Sequence, residues 1–463
     1  MDGLSTAAPR RRLHLPAGAE NNQVSLILTA RDDTSWRALQ DRVEHLDGSR
    51  MIDTLPMVRG VVAQVTGKEV YRTIDKLPEE TAVYVDEPIA FPSPQTMRQR
   101  DALVSKGLPL FEEDSTFHAA SAKAPFSVNP DDTMAQGQAA ALAAAEQAGP
   151  DVDRDLLGLS AIHQMGYTGK GVTVAVVDSG IQPGGDLTGR IKGWKDIENN
   201  KPAAFDNFGH GTHIAGEIAG SGQASGGKII GAAPGADLVG VRITTVVQAI
   251  KGLEWVVQNK ARYGIRVVNL SLGDPAQDSY AHDLWAQAVE KAIDQGLIVV
   301  VAAGNEGPDP GTVSTPGIDP RAITVGALDD HKTTDPGDDR VAEFSSRGPT
   351  VPDGLHKPDV VAPGVHIFST LSPNSVLDVA ELPHVGRSYL AISGTSMAAG
   401  LVSGIAADML EANPGLDQQH VKDILMRTAR PVKDEPDAQG AGVVDGAAAV
   451  REAARLAGRV AAG

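Results

Sequence analysis

Cysteine is absent from all 463 residues. Disulfides, thiolate nucleophiles and cysteine-based zinc sites are excluded with it. No apolar run is long enough to span a bilayer, so no membrane partner is expected. Met1 to Glu20 holds Arg10-Arg11-Arg12 but no apolar stretch after them, and does not read as a secretory signal. The expectation is a cytoplasmic protein, or a secreted one whose signal is not part of this sequence. Positive charge is also short, with 41 Lys and Arg against 59 Asp and Glu and a formal net charge of -18. Backbone phosphates would be repelled, so nucleic acid is not expected as a partner. Aromatics make up only 4%. What is present is 41% hydrophobic residues in dense blocks, with 50 glycines. That suits tightly packed α/β layers with many tight turns.

The chain divides by composition. Residues 1–19 read as a disordered tail. Within 20–92, VSLILTA (24–30), a segment near Met51–Leu55, GVVAQVT (60–66) and TAVYVDEP (81–88) read as strands. TSWRALQDRVEHL (34–46), with Thr34 as its cap, and KEVYRTIDKL (68–77) read as helices. The order β-α-β-β-α-β is the ferredoxin-like pattern. Residues 93–150 are richer in Pro, Ser, Gln and acids, and read as a linker with an Ala-rich surface helix at 135–149.

From 151 to 463 strands alternate with helices. VTVAVVD (172–178), DLVGVRI (237–243), RVVNLSL (266–272), LIVVVAAG (297–304) and AITVGAL (322–328) are continuous Val/Ile-rich runs, as in parallel strands buried on both faces. Helices are expected at 249–264 and 283–296. The fold class is α/β, a doubly wound parallel sheet preceded by a small α+β unit. Active sites in such sheets lie at the carboxyl ends of strands.

Four positions there can carry chemistry. Asp178 ends a strand at the active edge of the sheet; by itself it reads first as a turn cap or the acid of a nucleotide-binding fold, and only second as a catalytic carboxylate. His210, in GHGTHIAGEIAG, starts a helix, with His213 one turn on reading as structural. No HExxH or downstream ligand cluster supports a metal reading. Ser396, in SGTSMAAGLVSG, opens an apolar helix, where the positive end of the dipole favours developing negative charge; an ordinary N-cap serine is the plain alternative. It is not the GxSxG elbow, since Ala398 stands where the last glycine belongs. Asn305, in AAGNEG, reads as a turn residue or as an oxyanion donor.

Taken together, the order Asp, His, Ser at strand ends and helix starts is that of a subtilisin-type triad. VVDSGI, HGTHIAG, AAGNEG and SGTSMAA resemble the subtilase family of serine proteases. NLSLG (269–273), FSSRGP (344–349), KPDVVAPG (357–364) and ANPGLDQQHVKDILMRTA (412–429) extend the resemblance over roughly residues 155–450. GLEWVVQNKARYGIRVVNLSLG resembles the intracellular branch of bacterial subtilases in particular.

The resemblance implies a subtilisin-like catalytic domain at 151–463, with Ser396 as nucleophile, His210 as base and Asp178 orienting it. Asn305 and the Ser396 amide form the oxyanion hole, with Thr395 assisting. Ser271, Leu272 and Gly273 pair with a substrate backbone and, with Ala302, Ala303 and Gly304, line a roomy pocket for apolar side chains, with no acid marking a basic preference. It implies an endopeptidase, monomeric, acting on proteins or peptides, needing no cofactor for the chemistry. Residues 20–92 resemble a subtilase propeptide that inhibits its own enzyme.

Three departures stand out. Ala399-Gly400-Leu401 replaces a Ser-Pro-His-like string, so the proline is missing. The segment VRITTVVQAI (241–250) is shorter than the usual cleft loop. A structural calcium is common in the family; Asp186 matches a calcium aspartate, but SGQASGGKII (221–230) lacks the partner Asn, and no ligand set is assigned. Two other readings compete. A silent binding protein on this fold would lack a triad member, and none is missing. A nucleotide-binding protein would need a GxGxxG or Walker-type loop after the first strand, and there is none.

Overall fold

The computed structural model describes residues 22–46, 48–78, 81–89, 91–98, 151–333 and 335–460. The expected tail at 1–19 and the Ala-rich helix at 135–149 lie outside them. Among the described residues no helix is long and apolar enough to cross a membrane.

Residues 22–89 form strands β1 (Gln23–Thr29), β2 (Ser49–Leu55), β3 (Gly60–Thr66) and β4 (Ala82–Val85), with helices α1 (Asp33–Glu44) and α2 (Val70–Ile74). The sheet order is β2-β3-β1-β4, antiparallel throughout, as a βαββαβ chain requires. Alternation sends Leu26, Leu28, Val61 and Ala63 to one face, against Leu39 and Val43 of α1. Ile27, Val62 and Tyr84 take the other face. The cap of α1 is Asp32, not Thr34: its carboxylate accepts from the Ser35 amide at 2.8 Å.

The larger sheet is built from β5 (Thr173–Asp178), β6 (Ile191–Asp196), β7 (Asp237–Arg242), β8 (Ile265–Leu270), β9 (Ile298–Ala302), β10 (Ile323–Asp329), β11 (Arg340–Val341) and β12 (Val360–Pro363). Its order is β11-β10-β9-β8-β5-β7-β6, with β12 also on β10. All pairs are parallel except β10 with β11. Every residue of β5 is buried, which is why its sequence is apolar without alternation. The strand order reverses at β5, flanked by β7 and β8. That switch point places a crevice at the carboxyl ends of these strands. A further small sheet joins β13 (Ile367–Thr370), β14 (His384–Val385) and β15 (Tyr389–Ile392).

Five helices matter for the site: α3 (His210–Ala219), α4 (Val246–Tyr263), α5 (Leu284–Asp294), α6 (Thr395–Ala412) and α7 (Gln418–Thr428). Helix α6 runs through the core, buried from Thr395 to Leu410. Helix α4 begins three residues before the expected 249, because Thr245 caps it, accepting from the Gln248 amide. The outer face of the small sheet packs on α4 and α5, where Leu253, Val256, Leu284 and Trp285 meet Ile27, Leu55 and Val58. Residues 94–98, expected as linker, are helical, and Met97 is fully buried in the main core.

Candidate active site

Asp178 is the last residue of β5 and is fully buried. Its carboxylate accepts from the Ser179 amide at 2.7 Å. Both its oxygens face His210 Nδ1, at 2.8 and 3.0 Å. A carboxylate accepts, so Nδ1 carries the proton and Nε2 is left as the basic nitrogen.

His210 opens α3, and the turn before it is shaped for that. Gly209 has φ of +106°, a value disfavoured for side chains. Asp206 caps the helix, accepting from the amides of Gly209 at 2.8 Å and Thr212 at 2.9 Å. A Cβ on Gly211 would sit 2.2 Å from the Gly180 carbonyl, so glycine lets α3 close onto the Asp178 turn.

Ser396 is the second residue of α6 and 6% exposed. Its hydroxyl donates to the Ser271 carbonyl at 3.1 Å, while Ser271 Oγ donates to the Ser396 carbonyl at 2.8 Å. Asn269 Nδ2 donates to Ser271 Oγ, and Ser403 Oγ donates to Asn269 Oδ1. These bonds tie the end of β8 to the start of α6. Sequence reasoning missed Asn269 and Ser403; a buried Asn in an apolar strand was the available signal.

Helices α3 and α6 pack together, yet Ser396 and His210 share no hydrogen bond. His210 is 1% exposed and its Nε2 is buried without a partner. Phe91 lies over it, the ring centroids 5.7 Å apart. The segment leading to Phe91 is pinned along the cleft. Ile89 N–H donates to the Thr244 carbonyl at 2.9 Å, and Pro88 bridges Thr245 antiparallel. Asp86 accepts from the Val247 amide at 3.0 Å, giving α4 part of its cap.

Asn305 follows β9. Its Oδ1 accepts from the Thr395 amide at 2.9 Å, which leaves its NH2 as the donor available to a ligand. The Thr395 hydroxyl is bound to both the carbonyl and the amide of Gly304, so it holds the pocket loop. Of the other lining residues, Ser271, Leu272, Ala302 and Ala303 are buried. Gly273 must be small, since a Cβ would lie 2.6 Å from the Thr315 carbonyl. Gly304 has φ of +108°.

A carboxylate lies beside Gly304, one of the residues expected to line the substrate pocket. Glu306 Oε2 accepts from the Asn305 amide, Ser314 Oγ and Ser346 Oγ at 2.7, 3.0 and 3.1 Å. It lies 2.7 Å from where a Gly304 Cβ would be. Asp274, next after Gly273, pairs through its backbone with Thr315. Its carboxyl is pushed up to about 6, by burial first and then by the Glu87, Asp283 and Glu306 carboxylates.

Asp186 and the 221–230 loop do meet, but by donating groups. Asp186 accepts from the Tyr389 hydroxyl at 2.6 Å, the Ala224 amide at 2.9 Å and Ser221 Oγ at 3.4 Å. Hard cations need converging oxygen acceptors. Here N–H and O–H groups face the carboxylate, so the residues do not fit calcium at this point.

A model described as the subtilase family matches residues 169–443. Serine protease AprX of Bacillus subtilis (strain 168) is 47% identical over 291 residues, 60% of this chain and 66% of AprX. The chain thus spans just under two thirds of that relative. Subtilisin Savinase of Lederbergia lenta is 36% identical over 297 residues, 63% of this chain and 95% of the relative. Among solved structures, fervidolysin from Fervidobacterium pennivorans, a keratinolytic enzyme related to subtilisin, superposes with a TM-score of 0.60 at 23% identity. That match covers 95% of this chain and 62% of fervidolysin, and speaks for the fold.

Proposed function

Because the chain belongs to the subtilase family, we propose that it is a serine endopeptidase whose triad is Asp178, His210 and Ser396. The observation that carries this reading is the bond from His210 Nδ1 to both oxygens of Asp178, at 2.8 and 3.0 Å. It fixes the tautomer in which Nε2 is a base, on a helix packed beside the one that Ser396 opens.

In the reaction, Ser396 turns its hydroxyl from the Ser271 carbonyl to His210 Nε2. Nε2 takes the proton as Oγ attacks the scissile carbonyl. The Ser396 amide and Asn305 NH2 donate to the oxyanion, the first aided by the positive end of α6. The imidazolium, held by Asp178, then protonates the leaving amine. Water repeats the sequence to release the acyl group. The substrate backbone extends along Ser271–Gly273 as an added strand.

Residues 20–92 act as the intramolecular inhibitor and 151–463 as the protease, joined by 93–150. The support is the path of Asp86 to Phe91, which pairs with Thr244–Thr245 and ends over His210.

Intact mass over time, for the wild-type chain beside Ser396→Ala, tests the proposal. Wild type should shorten between residues 90 and 150 and hydrolyse unfolded protein, and the variant should do neither. Hydrolysis at wild-type rate by Ser396→Ala overturns it. A silent scaffold is separated by a fluorophosphonate, which should label Ser396 stoichiometrically in an active enzyme.

A further inference from the structure

Helix α3 carries a second histidine one turn after His210. His213 is fully buried, with Nε2 3.0 Å from the Leu390 carbonyl and Nδ1 2.7 Å from Glu217 Oε1. A carbonyl only accepts, so Nε2 carries a proton. In the neutral imidazole Nδ1 is then bare, and the donor facing it is the Glu217 carboxyl in its protonated form. Burial agrees on both counts. It raises Glu217 well above the ordinary carboxylate range, with the Asp178 charge next in importance, and brings His213 down to about 3. Burial thus favours the pair as a neutral acid hydrogen-bonded to a neutral imidazole.

The other oxygen of Glu217 points at α6. A Cβ on Gly400 would lie 2.3 Å from Glu217 Oε2 and 3.4 Å from Glu217 Cβ. Gly400 is one turn past Ser396, and Glu217 is two turns past His210. Oε2 makes no hydrogen bond, and Glu217 lines a small cavity of about 30 Å³ together with Gly216 and Leu401. The glycine standing where the family resemblance leads one to expect proline is thus the counterpart of this glutamate. The carboxyl occupies the space that a larger residue 400 would fill.

We propose that Glu217 is a positioning residue: clamped by His213 and seated on Gly400, it sets the separation of the two helices and so the reach from Ser396 Oγ to His210 Nε2. This rests on the triad reading above. The extra methyl of an alanine at 400 meets the end of the Glu217 side chain first, and because His213 holds its Oε1 at 2.7 Å, the carboxyl yields only by breaking that bond or by moving the helix.

The test is a double-mutant cycle in the full chain, on Gly400→Ala, Glu217→Ala and the pair. The readouts are kcat and KM on a peptide substrate, and the rate of fluorophosphonate labelling of Ser396 per folded molecule. Gly400→Ala should lower kcat and labelling together, by about 10- to 100-fold, with KM little changed, since misplacement near 1 Å costs about 100-fold. Adding Glu217→Ala should recover most of that loss. As single variants with Gly400 in place, Glu217→Gln, whose NH2 can donate to His213 Nδ1, should retain far more activity than Glu217→Ala. A fully active Gly400→Ala, or a loss in folded protein that Glu217→Ala does not relieve, overturns the proposal. Should Gly400→Ala not fold, Glu217→Asp decides: it withdraws the carboxyl from Gly400, and kcat equal to wild type overturns the proposal. Ser396→Ala run alongside separates the two claims. If that variant still hydrolyses, the triad reading fails; if it is dead while the cycle is additive, only the positioning role fails.

Discussion

Phe91 stands with its ring centroid 5.7 Å from that of His210, the planes inclined by 50°, and 5.2 Å from that of Phe208. The base of the proposed triad is therefore covered by a side chain from outside the main sheet. Phe91 is half-buried, so its cover contributes about 1 kcal/mol, roughly half the value of a fully buried ring, which corresponds to about fivefold in the ratio of covered to open forms. Phe91→Ala should accordingly raise the initial rate of fluorophosphonate labelling of freshly folded full-length chain by about fivefold. Equal rates for variant and wild type would show that the ring does not shield the site.

Asn305 has two tasks that substitutions can separate. Its Oδ1 holds the Thr395 amide, and its NH2 is free for the oxyanion. Asn305→Asp keeps an acceptor and removes the donor. Its kcat should fall about 100- to 1000-fold with little change in KM. A kcat near wild type for Asn305→Asp would leave Asn305 as a purely structural residue.

Docking of the N-terminal unit should depend on pH through Asp274. Its carboxyl is raised to about 6 by burial first, and then by Glu87 of the N-terminal unit, Asp283 and Glu306. Asp86 is shifted the same way by burial. The Glu87 part of that shift exists only in the docked form, so the docked form holds the proton more tightly than the undocked one. Docking is then strongest below the ordinary carboxylate range and weakens as pH rises through about 6. In Ser396→Ala, amide-exchange protection at Ile89 and Val247, corrected for the intrinsic rate, should drop on the order of tenfold between pH 5 and 8. Asp274→Asn should flatten the profile, and an unchanged slope in that variant would assign the effect elsewhere.

The Tyr389–Asp186 bond makes a prediction about metal removal. The carboxylate is satisfied by hydroxyl and amide donors, and the Tyr389 hydroxyl is pushed up to about 12, burial being the largest cause. Stability should therefore be insensitive to a calcium chelator at this point. Tyr389→Phe, which removes one donor to a buried carboxylate, should destabilise by about 1–3 kcal/mol. Thermal unfolding with and without chelator checks both. A large fall in Tm on chelation in wild type, abolished by Asp186→Asn, would restore a cation there.

What could be read in advance follows the physics of burial. Thr173–Asp178 and Ile298–Ala302 are enclosed on both faces, so their strands show as unbroken apolar runs. Ile191–Asp196, IKGWKD, sits at the edge beside β7 alone and is partly exposed; nothing in its pattern marks a strand. The βαββαβ order of the small unit was legible from alternation, whereas its first cap fell to Asp32 because that carboxylate, two residues earlier, reaches the Ser35 amide. Asp178, His210, Ser396 and Asn305 were nameable because each sits in a short local string. The contacts of Glu217 with Gly400 and of Phe91 with His210 join residues 183 and 119 positions apart, and no local string encodes them.

Helix α4 takes part of its cap from Asp86 and from the Glu87 carbonyl, which accepts from the Val246 amide, and the stretch before it is paired through Thr244 with Ile89. Once the N-terminal unit departs, the Val246 and Val247 amides and the Thr244 carbonyl face the cleft without those partners. Thr245 keeps one cap bond of its own to Gln248, so the helix persists while its mouth acquires unmet hydrogen-bonding capacity. An extended peptide lying beside Thr244 supplies such groups from its own main chain, whatever its side chains are. The released protease would thus carry a backbone vacancy in the shape of its former tenant, and selectivity at this end of the cleft would reward chain direction and extension before it rewarded residue identity.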